Sequence, residues 1–199
     1  VEIALRGVAI GFAIAAPVGP IGTLCVRRTL AFGLRNGIAT GLGAATADAT
    51  YAALAAAGIS AATALTARIA LPLHVVGALA LAYLALTIVR RRPAERDAEL
   101  RPASDLVAFA TTFVLTLCNP ATILSFAAVV AATALGRHAL ALGAGVAFVA
   151  GVWVGSALWW LILSGTIARV RHRLGSRAMR RIDYASGAVL LGFAIVALV

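Results

Sequence analysis

Residues 3–32 read IALRGVAIGFAIAAPVGPIGTLCVRRTLAF, an apolar run interrupted near its middle by Ala16-Pro17-Val18-Gly19-Pro20. A helix needs about 20 apolar residues to cross a hydrocarbon core about 30 Å thick, and this run exceeds that length. Proline lacks a backbone N–H and clashes with the preceding turn, so a helix passing through residues 16–20 must break or kink. Inside a bilayer such a break is tolerated only where protein or a water-lined cavity satisfies the freed backbone groups. A second long run, near 106–135, carries the same kind of interruption at Cys118-Asn119-Pro120.

Working outward, apolar runs place six spans near 3–32, 37–60, 69–89, 106–135, 139–167 and 182–199. The last is short, about 27 Å at 1.5 Å per residue. Of the 199 residues 62% are apolar and 12% charged, too few polar groups to cover a water-soluble domain. The expected fold is therefore an all-α integral membrane protein, with helices 1 and 4 broken or kinked at their prolines. Ala13-Ile14-Ala15-Ala16 has the small residues of a leader-cleavage site. Only Glu2 and Arg6 precede it, however, not a basic cluster, so the first run reads as a span.

The net charge of +10 comes from arginines lying mostly between the apolar runs, which points to lipid headgroups and topology; no nucleic-acid partner is implied. With six crossings, all but Arg6, Arg68 and Arg137 of the 17 basic residues fall on one side. The positive-inside bias makes that side cytoplasmic and puts both termini outside. The stretch 90–105, with alternating charges and two prolines, reads as a cytoplasmic linker between residues 1–89 and 106–199. Arg169 to Arg181 reads as a headgroup-facing anchor.

The two parts resemble one another. Pro20-Ile-Gly-Thr-Leu-Cys aligns with Pro120-Ala-Thr-Ile-Leu-Ser, and Gly33 with Gly136. Gly41, Gly43 and Tyr51 align with Gly143, Gly145 and Trp153, and Gly77 and Tyr83 with Gly187 and Phe193. Three spans per copy is an odd number, so the second copy enters the membrane from the opposite face, the inverted repeat frequent among secondary transporters. Such folds hold substrate near the midplane, at broken helices whose N-terminal N–H groups carry partial positive charge. The alternative is that the prolines only kink packed helices.

Asp48 is the single carboxylate in the interior of any span, roughly 16 Å into the second by helical rise. An acid there must face a cavity or a partner, or carry a proton for part of a cycle; otherwise it glues two helices as a neutral hydrogen-bonded group. Thr46, Thr50 and Tyr51 add hydroxyls nearby, and the repeat-related position is Ala150. His74, near the outer end of the third span, reads as interfacial, with proton relay as the other option. Arg27 and Arg28 are expected to snorkel to the headgroups, or else to attract an anionic group from a cytoplasmic vestibule. Glycines four apart (Gly33, Gly37 and Gly41; Gly7 and Gly11; Gly151 and Gly155) read as helix-packing faces. Trp159 and Trp160 read as aromatic belt, and Trp153 as deeper and cavity-facing. The chain has no lysine and no phosphate-binding Gly-Lys loop, so no nucleotide or other cofactor is implied and an ion gradient is the expected energy source.

Ala16-Pro17-Val18-Gly19-Pro20-Ile21-Gly22, Arg27-Arg28-Thr29-Leu30, Gly41-Leu42-Gly43-Ala44-Ala45-Thr46-Ala47-Asp48 and Asn119-Pro120-Ala121-Thr122-Ile123-Leu124-Ser125-Phe126 together resemble the LysE/RhtB family of amino-acid exporters. The resemblance spans essentially the whole chain. It implies a bacterial inner-membrane protein with two three-helix repeats, proton-driven export of amino acids or related metabolites, dimers, and no enzymatic activity. Carried over by position, Gly19-Pro20, Asp48 and Asn119-Pro120 are the signature residues. Many relatives have lysine where this chain has Ala121, so another member's amino-acid specificity does not transfer.

Joined to the residue chemistry, this gives a candidate substrate-binding set of Pro17, Gly19, Pro20, Thr23, Asp48, Tyr51, Asn119, Pro120 and Trp153. The substrate carboxylate would sit at the two helix starts, and Asp48 would take the ammonium or the coupling proton. Two other readings stand beside it. A thiol–disulfide carrier would use Cys25 and Cys118, which are not repeat-equivalent: Cys25 aligns with Ser125 and Cys118 with Val18. A divalent-metal exporter would have only one Asp and a peripheral His as ligands within its spans.

Overall fold

The computed structural model describes residues 1–17, 19–57, 104–132, 140–171 and 188. Among them are six α-helices and no strand: α1 (Glu2–Ala15), α2 (Pro20–Phe32), α3 (Leu34–Ala56), α4 (Asp105–Leu117), α5 (Pro120–Ala132) and α6 (Leu142–Arg171). The expected third span with His74, all but Ala188 of the sixth, and most of the 90–105 stretch lie outside the described residues.

Each proline-bearing run is two helices. α1 stops at Ala15 and α2 restarts at Pro20, with an 80° bend between them; α4 stops at Leu117 and α5 restarts at Pro120, with a 58° bend. Pro20 stands in the first turn of its helix, where its missing N–H would be unpaired in any case. At the far end of α2, Gly33 alone connects to α3. Its φ of 92° lies in the left-handed region, where a side chain is strained, so the chain reverses over one residue and not over the loop expected at 33–36. Ser104 caps α4, its Oγ accepting from the Val107 N–H at 3.3 Å, and Asp105 adds a favourable charge to the first turn.

α3 is the central helix, packed against α2, α4 and α6. Rising residue numbers meet along α3 and α4: Gly43 lies against Phe109 and Phe113, and the Tyr51 hydroxyl donates to the Leu117 carbonyl. These two helices therefore run parallel. α6 runs opposite to α3, its Leu140 end beside Ala56, Ser156 beside Asp48 and Ser164 beside Gly37. α1 lies along α6 in the same direction, Gly7 and Gly11 facing Gly151 and Val152, and Val8 facing Gly155. A Cβ at any of Gly7, Gly11, Gly151 or Gly155 would fall inside the van der Waals envelope of the opposing backbone, so glycine sets the α1–α6 separation.

Polarity is turned inside out relative to a water-soluble protein. Leu106, Leu124, Leu142 and Leu158 are exposed, whereas Thr29, Thr40, Asp48, Thr112, Ser156 and Ser164 are buried. An apolar exterior suits lipid, and polar side chains that avoid lipid must find partners within. Among the described residues α6 alone is apolar and long enough to cross by itself, and each bent pair qualifies as a unit. α3 has the length, 23 residues, but is richer in Gly, Thr and Ala. Enclosed by other helices, it does not need a lipid-compatible surface. One end of the assembly is basic: Arg35 pairs with Asp105, and Arg171 donates to the Ala31 carbonyl at 3.4 Å beside Gly33.

Candidate functional site

The two breaks meet. A cavity of about 270 Å³ lies where they approach α3 and α6. The first break contributes Pro17, Gly19 and Pro20 to its wall, and the second contributes Thr116, Asn119 and Thr122. Asp48 enters from α3 and Trp160 from α6. Residues about a hundred positions apart, expected to act together because both are helix starts, thus share one chamber with the lone acid of the expected spans.

Asp48 is 2% exposed. Its Oδ2 accepts a hydrogen bond from the Ser156 hydroxyl at 2.7 Å, and that same oxygen of Ser156 accepts from the Trp160 indole N–H at 3.2 Å. Oδ1 has no hydrogen bond among the described residues. Gly41 makes the relay possible: a side chain there would collide with the root of the Trp160 ring, so α6 could not come close enough to α3. Trp160 therefore belongs to the cavity wall and not to an aromatic belt, while Trp159 is partly buried and packs edge-on to Phe12 with ring centroids 5.5 Å apart.

The helix starts differ chemically. At the second break Asn119 satisfies its own helix, its Oδ1 accepting from the Ala121 N–H at 3.2 Å and its Nδ2 donating to Thr122 Oγ1 at 3.1 Å. At the first break the capping residue is Gly19, which has no side chain to offer, and no side-chain cap is made. Ile21 and Gly22, whose N–H groups open α2, both line the cavity. A helix start leaves its first N–H groups without intrahelical partners; Pro20 has none to offer, but no side-chain cap takes up those that remain, so this end is the better seat for an anionic group.

Of the sequence candidates, Thr23, Tyr51 and Trp153 do not line this cavity. Thr23 lies one turn in, donating to the Gly19 carbonyl at 3.0 Å. Pro120 opens α5 at the second break. Tyr51 is turned toward α4 and α5, its hydroxyl on the Leu117 carbonyl and its ring stacked on Phe126 at 5.5 Å. Trp153 stands in a separate recess of about 650 Å³ lined by Ala, Leu, Val and Gly, with its indole N–H donating to Thr46 Oγ1 at 3.2 Å. Ser156 and Trp160 had no sequence signal, because reach into a site depends on rotation about the helix axis. Thr116 and Thr122 flank Asn119-Pro120, and that proximity was the only hint.

Arg28 departs from expectation. It does not snorkel: it is 9% exposed, and its guanidinium donates to the Ala108 carbonyl, Thr111 and Thr112 at 2.9 Å and to Thr40 at 3.3 Å. These neutral acceptors tie α2 to α3 and α4, and among the described residues no carboxylate joins them. Both cysteines are buried; Cys25 Sγ lies 3.3 Å from Ser164 Oγ.

No curated protein and no solved structure matches the chain. A family model does: the one for the LysE type translocator aligns with residues 12–199, a stretch that takes in both helix breaks, Asp48 and every other residue of the cavity wall. With nearly its whole length matched, the chain belongs to the LysE type translocator family.

Proposed function

We propose that this protein exports an amino acid or closely related small metabolite against its gradient in exchange for protons, and that the cavity between the two helix breaks is the transport site. Family membership carries the coarser part: a membrane transporter with a small-molecule cargo, not an enzyme. The observation that carries the rest is Asp48 in the wall of a chamber lined by both breaks. The open start of α2 seats the substrate carboxylate, and Asp48 holds the ammonium in one orientation and a proton in the other.

Alternating access follows if residues 1–89 and 106–199 are inverted repeats joined by a cytoplasmic 90–105 linker. The order of half-helix, half-helix and long helix in each part, with α3 and α6 antiparallel, supports that reading. The basic end bearing Arg35, Arg169 and Arg171 is then cytoplasmic, with both termini on the far side of a bacterial inner membrane and dimerisation as in the family. Among the described residues neither cysteine lines the cavity and Asp48 is the only carboxylate, cysteine or histidine on its wall, so neither thiol transfer nor metal export gains support.

The test is efflux from amino-acid-loaded proteoliposomes under an imposed pH gradient. Asp48→Asn should abolish gradient-driven efflux while the protein still inserts; wild-type efflux by that variant refutes the assignment.

A further inference from the structure

Within these helices most threonine hydroxyls donate to the carbonyl one turn back: Thr29 bonds Cys25, Thr40 bonds Asn36 and Thr46 bonds Leu42, and on α4 itself Thr111 bonds Val107 and Thr112 bonds Ala108. Thr116, on the same α4, makes no such bond. It is 3% exposed, lies on the cavity wall, and its Oγ1 has no hydrogen-bond partner among the described residues. A buried hydroxyl without a partner is unfavourable, the more so when a neighbouring carbonyl is the usual solution.

The register of α3 against α4 places this hydroxyl. Gly43 lies beside Phe109 and Phe113, and Tyr51 reaches Leu117, so Asp48, between those two residues, falls at the depth of Thr116. Both residues line one cavity. Ser156 occupies Asp48 Oδ2, while Oδ1 is unengaged among the described residues. Two oxygens without partners among those residues, one acidic and one hydroxyl, therefore belong to residues at one level on the wall of a single chamber.

We propose that Thr116 Oγ1 is a substrate ligand that shares the substrate's primary ammonium with Asp48, and that the cavity selects small amino acids whose side chains carry no charge. This rests on the transport reading given above. An ammonium has three N–H donors and can serve both oxygens at once; a trimethylammonium has none. Asp48 is the only charged side chain on the wall among the described residues, and Ile14, Ala15, Ile21 and Ala44 supply an apolar surface. A second charge, as in lysine or glutamate, would be left unpaired in a low-dielectric space. The volume of about 270 Å³ is at the small end for ligand sites.

The experiment uses the purified full chain in detergent, with L-alanine, L-lysine and glycine betaine as probes, binding measured by calorimetry and stability by thermal melting. Wild type should bind alanine at least about tenfold more tightly than lysine or betaine. Thr116→Val, which removes the hydroxyl but keeps the shape, should weaken alanine about tenfold or more, as expected for a lost hydrogen bond to a charged group. Thr116→Ser should recover most of that loss. Without ligand, Thr116→Val should melt no lower than wild type, because the deleted hydroxyl has no protein partner. A lower melting temperature for that variant, wild-type alanine affinity in it, or lysine or betaine binding as tightly as alanine each overturns the assignment. Alanine binding untouched by Thr116→Val sinks this inference alone; a wild type that binds none of the probes removes the amino-acid reading as well.

Discussion

Gly155→Ala tests whether glycine spacing holds α1 against α6. A Cβ at Gly155 would lie 2.8 Å from the Val8 carbonyl carbon and 2.9 Å from its Cα, and closer still to the carbonyl oxygen. Carbon atoms pack best at about 3.5–4.0 Å, so the helices must separate by roughly 0.6–1.2 Å; a gap of about 0.5–1 Å already forfeits about a quarter to a half of each dispersion contact. The loss spreads along the seam to Gly7, Gly11 and Gly151, and overpacking of this kind typically costs about 1–3 kcal/mol. Gly143→Ala is the control, on the same helix but with nothing within 4 Å of an added Cβ. There only helix propensity operates, worth up to about 1 kcal/mol in favour of alanine. Thermal melting in one detergent should put Gly155→Ala below Gly143→Ala by several degrees, at about 2–4 °C per kcal/mol for a chain of this size. Because Ile14 and Ala15 of α1 line the cavity, Gly155→Ala should also slow transport. If the two variants melt together, or Gly155→Ala melts higher, close backbone approach does not set this interface.

Thr112→Val deletes an acceptor 2.9 Å from the buried Arg28 guanidinium and should cost about 1.5–3 kcal/mol, read by thermal melting. In an Arg28→Met background the same change should cost at least about 1 kcal/mol less, since contacting residues couple; equal costs in both backgrounds would deny the tie between α2 and α4. Tyr51→Phe retains the stacking on Phe126 and loses only the bond to the Leu117 carbonyl, so a destabilisation of about 0.5–1.5 kcal/mol is expected. A larger loss, or loss of amino-acid binding, would place that hydroxyl in the transport site.

Asp48 was legible because an ionisable group in a run of Ala, Gly and Leu stands out against its neighbours wherever it points. The helix interruptions were legible for a related reason: Pro17, Pro20 and Pro120 impose their geometry on the adjacent turn. Gly33 shows the limit. It was grouped with glycines that pack helices, and its role as a one-residue reversal depends on the ends it joins. Trp153 was read as the deeper, cavity-facing indole and Trp160 as belt; seven residues are two helical turns, so both rings lie on nearly one stripe of α6, about 10 Å apart along its axis, and which of them meets the break-lined cavity depends on the depth at which the helix settles.

By itself, then, the sequence determined what is local: helical spans, an exterior suited to lipid, the positions of the breaks and the identity of the lone acid. Hydropathy and backbone sterics act over a few residues and need no fold to be read. Tertiary structure alone decided that both breaks open on one chamber, that Arg28 turns inward to the threonines of α3 and α4, and that Ser156, Trp160 and Thr116 surround Asp48. Those relations join positions up to about 110 residues apart. They follow from the rotation and depth at which whole helices settle, and packing of the assembled bundle sets those quantities.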